Sequence, residues 1–266
     1  MKVYEDNVYP TMDETKISFL FHNTQGFIAH KEDIKVNTFI LSSDIVCLCE
    51  TWLQTENVTN ALYLDNFCDP YIRCRKSEQS KHQIHQGGIM AYVKQTLGDI
   101  AITSIKDCTV EHCIIFYQGI AFVCIYRRPR SDVQLFLEDL NTILHYCEKS
   151  EENPQKTEFF VIAGDFNENL FDSKSHPIFN YFNQKGYERT INKATTKQKS
   201  CIDQIYIKIK GLPKTHYNSY VVPIYYSDHE MLRFELSPMY RQQLVTIYPI
   251  VNTASLVCTK DMYKLL

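Results

Sequence analysis

The chain has 266 residues, 44% of them hydrophobic and 13% aromatic, enough for one large domain or two small ones around a substantial core. It has no run of about 18 apolar residues, so no membrane-spanning helix is expected, and residues 1–15 are acidic and polar and do not read as a signal peptide. A formal net charge of −3 argues against indiscriminate polyanion binding, although local basic clusters can still act. The ten cysteines form no CxxC pair, so no zinc site is expected; buried free thiols in a reducing compartment fit better.

Strand-like apolar runs recur along the chain at residues 16–22, 45–49, 88–93, 113–117, 121–126, 159–163, 202–208 and 232–236. Helix-like stretches fall at 31–41, 131–148 and 177–185. The middle one is clearest, with Val133, Phe136, Leu137, Leu140, Ile143 and Leu144 at helical spacing and Ser131 or Asp132 as its N-cap. Mixed strands and helices in one continuous chain suggest a two-layer α/β sandwich in a single domain. That domain is expected over residues 16–237, with a short extension before it. The tail 238–266 has apolar runs at 244–251 and 254–258 but no catalytic-type cluster. Trp52 reads as core packing, and Gly87-Gly88 as backbone freedom before a strand.

Several runs end in residues that bind metal or phosphate. Asn23 follows the first and Glu50 the second. Tyr126 ends the run at 121–126, with Arg127 and Arg128 next. The segment FFVIAGDFNENL (159–170) delivers Asp165 and Asn167. Asp203 opens a later run, and YSDHEML (226–232) supplies Ser227, Asp228 and His229. Each has a plainer alternative: Asn23 as a turn residue, Glu50 as a helix cap, Tyr126 as a core-edge aromatic, Asp203 as a surface strand residue. Together they offer oxygen ligands for a hard cation and carboxylate–imidazole candidates. That set suits Mg²⁺ or Mn²⁺ rather than zinc, and hydrolysis of a phosphate ester.

The stretches FHNTQGF, DIVCLCETWL, QGGIMAYVK, VCIYRRPRSDVQLFLEDL, FVIAGDFN, SCIDQIYIK and YYSDHEML together resemble the exonuclease–endonuclease–phosphatase superfamily. Within it they resemble most the apurinic-endonuclease-like domains of non-LTR retrotransposons and related transposons. The resemblance implies a DNase I-like, four-layer α/β sandwich: two mixed, mostly antiparallel sheets packed face to face and flanked by helices. It also implies roles. Glu50 would hold the divalent metal, with Asn23 and Asp228 close to it. Asp165 would orient or deprotonate the attacking water, and Asn167 would position it. His229 would contact the scissile phosphate, and Asp203 would orient and charge that imidazole. Tyr126 would bond a phosphate oxygen or assist the leaving oxygen. Thr195, Ser200 and Ser227 match polar positions near the site. One departure stands out: Gln25 replaces an acidic residue found in many abasic-site repair relatives.

The expected activity is a Mg²⁺-dependent endonuclease that nicks one DNA strand. Arg73, Arg75, Arg127 and Arg128 lead the basic clusters that could contact DNA, together with the loop 73–86 and the segment 186–200. A reverse transcriptase or another transposon protein is a natural partner, the nucleus the expected location, and no membrane is involved. A phosphatase on the same core is the alternative enzyme. A catalytically idle nucleic-acid-binding module is the non-enzymatic alternative, and the intact residue set argues against it.

Overall fold

Two six-stranded sheets form the body of the computed structural model. The described residues are 16–57, 59, 62–75, 86–98, 100–149, 157, 159–171, 175–209 and 216–237. The extension 1–15, the tail 238–266, most of the loop 73–86 and the lysines Lys76, Lys81, Lys210 and Lys214 lie outside them. The first sheet contains β1 (Ile17–Asn23), β2 (Ile45–Cys49), β3 (Tyr71–Arg73), β4 (Ile89–Val93), β11 (Tyr217–Val222) and β12 (Met231–Leu236), ordered β11-β12-β1-β2-β4-β3. The second contains β5 (Ala101–Thr103), β6 (Glu111–Tyr117), β7 (Ile120–Tyr126), β8 (Phe159–Asp165), β9 (Glu188–Arg189) and β10 (Asp203–Ile209), ordered β5-β6-β7-β8-β10-β9.

Each sheet has one parallel pair at its centre, β1 with β2 and β7 with β8; the other pairings are antiparallel. Parallel neighbours need a crossover. Helices α1 (Phe27–Val36) and α2 (Thr38–Ser42) supply it in the first sheet, and α3 (Val133–Lys149) in the second. The continuous helix expected at 31–41 is broken at Asn37, whose side chain accepts from the Phe39 and Ile40 amides and caps α2. Asp132 caps α3 as expected, accepting from the Leu135 amide at 2.8 Å.

The two-layer reading is corrected to four layers. Alternate residues of the central strands face opposite ways. Phe19, Phe21, Cys47, Phe122, Cys124, Val161, Ala163, Ile205 and Phe234 fill the space between the sheets. The other set packs outward. Leu20, Val46 and Leu48 meet Phe27, Ile34 and Ile40 of α1 and α2. Val123, Ile125 and Ile162 meet Phe136, Leu140 and Ile143 of α3, and Ile178 and Phe182 of α4 (Pro177–Gln184). Burial on both faces explains why these strands read as unbroken apolar runs. Each buried Phe, Leu or Ile contributes roughly 1.5–3 kcal/mol. Cys47, Cys113 and Cys124 meet between the sheets, with Cys47 Sγ 4.0 Å from Cys113 Sγ. Among the described residues, no helix is long and apolar enough to cross a membrane.

Candidate active site

The polar residues gather at one edge of both sheets. Asn23, Tyr126 and Asp165 end β1, β7 and β8, and Glu50 directly follows β2. These are the carboxyl ends of the four parallel strands, where open α/β sheets place their ligands. Antiparallel neighbours bring the rest. Asp203 opens β10 directly opposite Asp165, and His229 lies just before β12. Asn23, Tyr126, Asp165 and Asp203 keep the inward parity of the apolar residues before them, so they continue the inter-sheet layer in polar form. His22 has the opposite parity. It is fully buried with no hydrogen-bond partner among the described residues, and burial first, then the neighbouring His229 and His30, lowers its pKa to about 3.

Hydrogen bonds join the two sheets. Asn23 Nδ2 donates to Asp165 Oδ2 at 2.9 Å. Asp165 Oδ1 accepts from the Asn167 amide at 2.9 Å, and Asn167 Nδ2 donates to the Arg127 carbonyl at 2.7 Å. His229 Nδ1 faces both Asp203 oxygens at 3.0 and 3.1 Å. Its Nε2 lies 3.5 Å from Asn23 Nδ2. That amide nitrogen is itself a donor, so an Nε2 proton must find its acceptor elsewhere in the site. A strap from the second sheet sets this histidine: Thr196 bridges to His229, the Glu230 amide donates to the Thr195 carbonyl, and the Lys197 amide to the Asp228 carbonyl.

Electrostatics separate the roles. Burial opposes a charge on His229, but Asp203, by charge and hydrogen bond, and then Asp165 and Glu50 raise it to about 9. It is an imidazolium at neutral pH. Asp165 is pushed well above the usual carboxylate range, first by burial and then by the Asp203 charge. Asp203 pairs with that imidazolium, and the Glu50 and Asp165 carboxyls stand beside it. Asp165, Asp203 and His229 offer ligand atoms within 4.8 Å of one another. Carboxyl oxygens gathered in this way fit a divalent cation, which would in turn favour the ionised form of Asp165. Three of the residues here, Glu50 (φ +49°), Asn167 (φ +50°) and Gln25 (φ +47°), adopt left-handed backbone, a strain that surrounding contacts must hold in place.

Tyr126 hydrogen-bonds Glu50, and burial together with the Glu50 and Asp165 charges raises its hydroxyl far above the usual value. The Arg75 guanidinium sits 5.6 Å over its ring and contacts Glu111 at 2.5 Å, while Arg128 reaches the same carboxylate at 3.8 Å. Burial and the neighbouring Arg75 lower the Arg128 pKa. Among the described residues, Arg75 Nη2 is buried without a partner.

The other two arginines are tied into the fold. Arg73 donates to the His112 and Ile105 carbonyls. Arg127 is 2% exposed and bonds Phe166 O, Glu168 and Ser131 O. Arg127 is sealed inside the fold against Glu168 and backbone carbonyls, which corrects its expected place in DNA contact, while the half-buried Arg73 is tied to two backbone carbonyls. Thr195 is buried behind Asp203, whose amide donates to its hydroxyl at 3.1 Å, and the Ser200 hydroxyl pairs with Thr196 at 2.6 Å. Both position the site rather than face a strand. Ser227 donates to the Asn23 carbonyl at 2.9 Å, while the exposed Asp228 borders the pocket. Trp52 is 37% exposed, which overturns its reading as core.

Gln25 is the residue whose part was not foreseen. Its Oε1 accepts from the Ser227 hydroxyl at 3.2 Å and the Asp228 amide at 2.9 Å, clamping the SDH loop to the turn after β1. Its position two residues after Asn23 was the available signal. Glu111, which gathers Arg75, Arg128 and the Gly88 amide, carries no local signal at all.

The fold has solved relatives. The endonuclease domain of TRAS1, a telomere-specific non-LTR retrotransposon, matches with a TM-score of 0.57 at 12% identity, covering 84% of this chain and 98% of that one. A 3′-5′ exonuclease from Neisseria meningitidis gives 0.60 at 14%, covering 83% and 100%. The catalytic domain of Xenopus laevis APE2 gives 0.55 at 15%, covering 83% and 92%. No curated protein matches the sequence. At these identities the likeness establishes the DNase I-like fold alone. The sequence pattern of a family of metal-dependent hydrolases and nucleases reaches further: it matches residues 20–229, from within β1 to His229, and on that match the chain belongs to the Endonuclease/Exonuclease/phosphatase family.

Proposed function

We propose that this protein is a divalent-metal-dependent DNA endonuclease that hydrolyses phosphodiester bonds and nicks one strand, leaving 3′-hydroxyl and 5′-phosphate ends. The observation that carries the reading is the buried chain Asp203–His229 beside Asn23–Asp165, assembled from both sheets. Glu50, with Asn23 and Asp228 near it, would hold Mg²⁺ or Mn²⁺. The bound cation would offset charge on the phosphate oxygens. With a cation beside it to favour its ionised form, Asp165, held by Asn23 and the Asn167 amide, would orient the attacking water and take its proton. His229, kept cationic by Asp203, donates its Nε2 proton to an oxygen of the scissile phosphate. The Tyr126 hydroxyl supports the same phosphate or the leaving oxygen. Arg75 and Arg128, both beside Glu111, are the guanidinium groups here that a flanking strand phosphate would meet.

A nick that ends in a 3′-hydroxyl is what primed DNA synthesis requires. With the order of the chain's motifs, this supports a transposable-element origin, a reverse transcriptase or other element-encoded protein as partner, and a nuclear site of action. The guanidinium pair Arg75 and Arg128 beside Tyr126 also supports one second reading, a phosphatase that seats a terminal phosphate. Relaxation of supercoiled plasmid with Mg²⁺, with EDTA and Asp165→Ala as controls, decides between them. Nicked circles that vanish in both controls support the endonuclease. Intact plasmid with turnover of soluble phosphomonoesters supports the phosphatase.

A further inference from the structure

We infer that Trp52 is a stacking platform for an unstacked nucleobase beside the scissile phosphate; this deepens the endonuclease reading and rests on it. Trp52 is the only tryptophan in the chain, yet its indole is 37% exposed, two residues beyond Glu50. It is held firmly despite that exposure. Its amide donates to the Gly87 carbonyl at 2.9 Å, and the Thr51 amide pairs with Gly88. On the other side the Gly26 amide donates to the Glu50 carbonyl at 2.8 Å and the Phe27 amide to Thr51 at 3.0 Å. The segment is pinned between two glycine turns.

Trp52 also sits at φ +55°, where a bulky side chain is rare. The indole packs directly on Gly26, where a Cβ would come within 2.8 Å of its Cε3. Gly26, itself at φ +107°, leaves room for the ring without burying it. A strained, rigid aromatic presented to solvent next to a catalytic carboxylate points to a flat ligand. A further exposed apolar side chain, Ile28 (53%), stands two residues after Gly26 in the first turn of α1. A phosphodiester bound at Glu50 and Asp165 brings its own bases to this rim. Stacking on an aromatic ring tolerates any base, so the platform serves strand distortion rather than sequence reading.

The test compares Trp52→Leu and Trp52→Phe with the wild type in steady-state plasmid nicking with Mg²⁺, after their melting temperatures are matched. Leu should raise KM about tenfold or more with kcat little changed, while Phe stays close to wild type. The single tryptophan gives a second readout. Its fluorescence should be quenched by a short single-stranded oligonucleotide whose binding is followed by anisotropy of a dye on the DNA. An unchanged KM for Leu overturns the inference, as does a Phe variant as impaired as Leu, or binding without quenching. If Leu fails to fold, a duplex with one abasic nucleotide, moved through the positions around the mapped nick, replaces it. One position must then raise the wild-type KM about tenfold. Wild-type protein that neither nicks nor binds DNA removes the endonuclease reading first and this inference with it. Nicking with none of the Trp52 effects removes this inference alone.

Discussion

Asp203→Asn keeps the side chain's size and removes its charge. His229 stands at about 9, against an ordinary value of 6.5: burial lowers it, but the Asp203 carboxylate 3.0 Å from Nδ1, with Asp165 and Glu50 behind it, outweighs burial. The difference, about 9 minus 6.5, is roughly 3 kcal/mol in favour of the imidazolium at ~1.36 kcal/mol per pH unit. Without the carboxylate, burial dominates and the imidazole falls to the ordinary value or below. At about pH 7.5 the protonated fraction then drops from roughly 97% to roughly 9% or less. That alone removes about tenfold of the rate, and the lost orientation brings the total to ~10²–10⁴. The group's folded pKa is raised, so its stabilising contribution is complete below 6.5 and is lost as the pH climbs through about 9. Metal-free wild-type protein should therefore lose stability across that window through His229, and the Asn variant should not. Nicking rates across the same window, with NMR titration of the His229 ring, check both. A wild-type ring that titrates near 6.5, or an Asn variant as fast as wild type at neutral pH, would refute the argument.

Gly164→Ala places a Cβ 2.3 Å from the Ile125 carbonyl of the adjacent parallel strand, and should destabilise the fold by about 1–3 kcal/mol or more in urea melts. An unchanged midpoint would mean that β7 and β8 separate easily. Arg127→Met should cost roughly 1.5–3 kcal/mol of stability through its lost buried hydrogen bonds. Arg128→Met should instead leave the melt intact and reduce the salt slope of DNA binding by about 1; the opposite pattern would reverse their assignments. Mg²⁺ should raise the melting temperature, by about 2.7 kcal/mol of stability at a hundred times its Kd, and Glu50→Gln should abolish the rise. An equal rise in both proteins would place the metal elsewhere.

The central strands and the residues at their ends were legible in the sequence because burial on both faces makes β1, β2, β7 and β8 read as apolar runs that stop abruptly at Asn23, Glu50, Tyr126 and Asp165. The edge strands were not. β3, β5 and β9 have three, three and two residues, and β11 is only partly buried, so neither length nor apolar content marks them. Asn37 gives no sign of being a cap because the apolar pattern of residues 31–41 runs straight through it. The fates of the arginines depend on tertiary partners. Arg127 and Arg128 are neighbours in sequence, yet one is sealed against Phe166 and the other shares Glu111 at the site. The exposure of Trp52 depends on Gly26, which lies far from it in the chain.

Half of the site belongs to each sheet: Asn23, Glu50 and His229 to the first, Tyr126, Asp165 and Asp203 to the second. Its two decisive bonds, Asn23 to Asp165 and Asp203 to His229, both cross the seam. What sets the alignment is the layer beneath, where Phe19 of β1 stacks on Phe122 of β7 with centroids 5.3 Å apart. A slide of one sheet over the other by about 1 Å would leave every strand paired and still cost on the order of 10²-fold in rate. The catalytic centre is therefore a vernier on the aromatic filling between the sheets, and it reads misalignment long before a melting curve does.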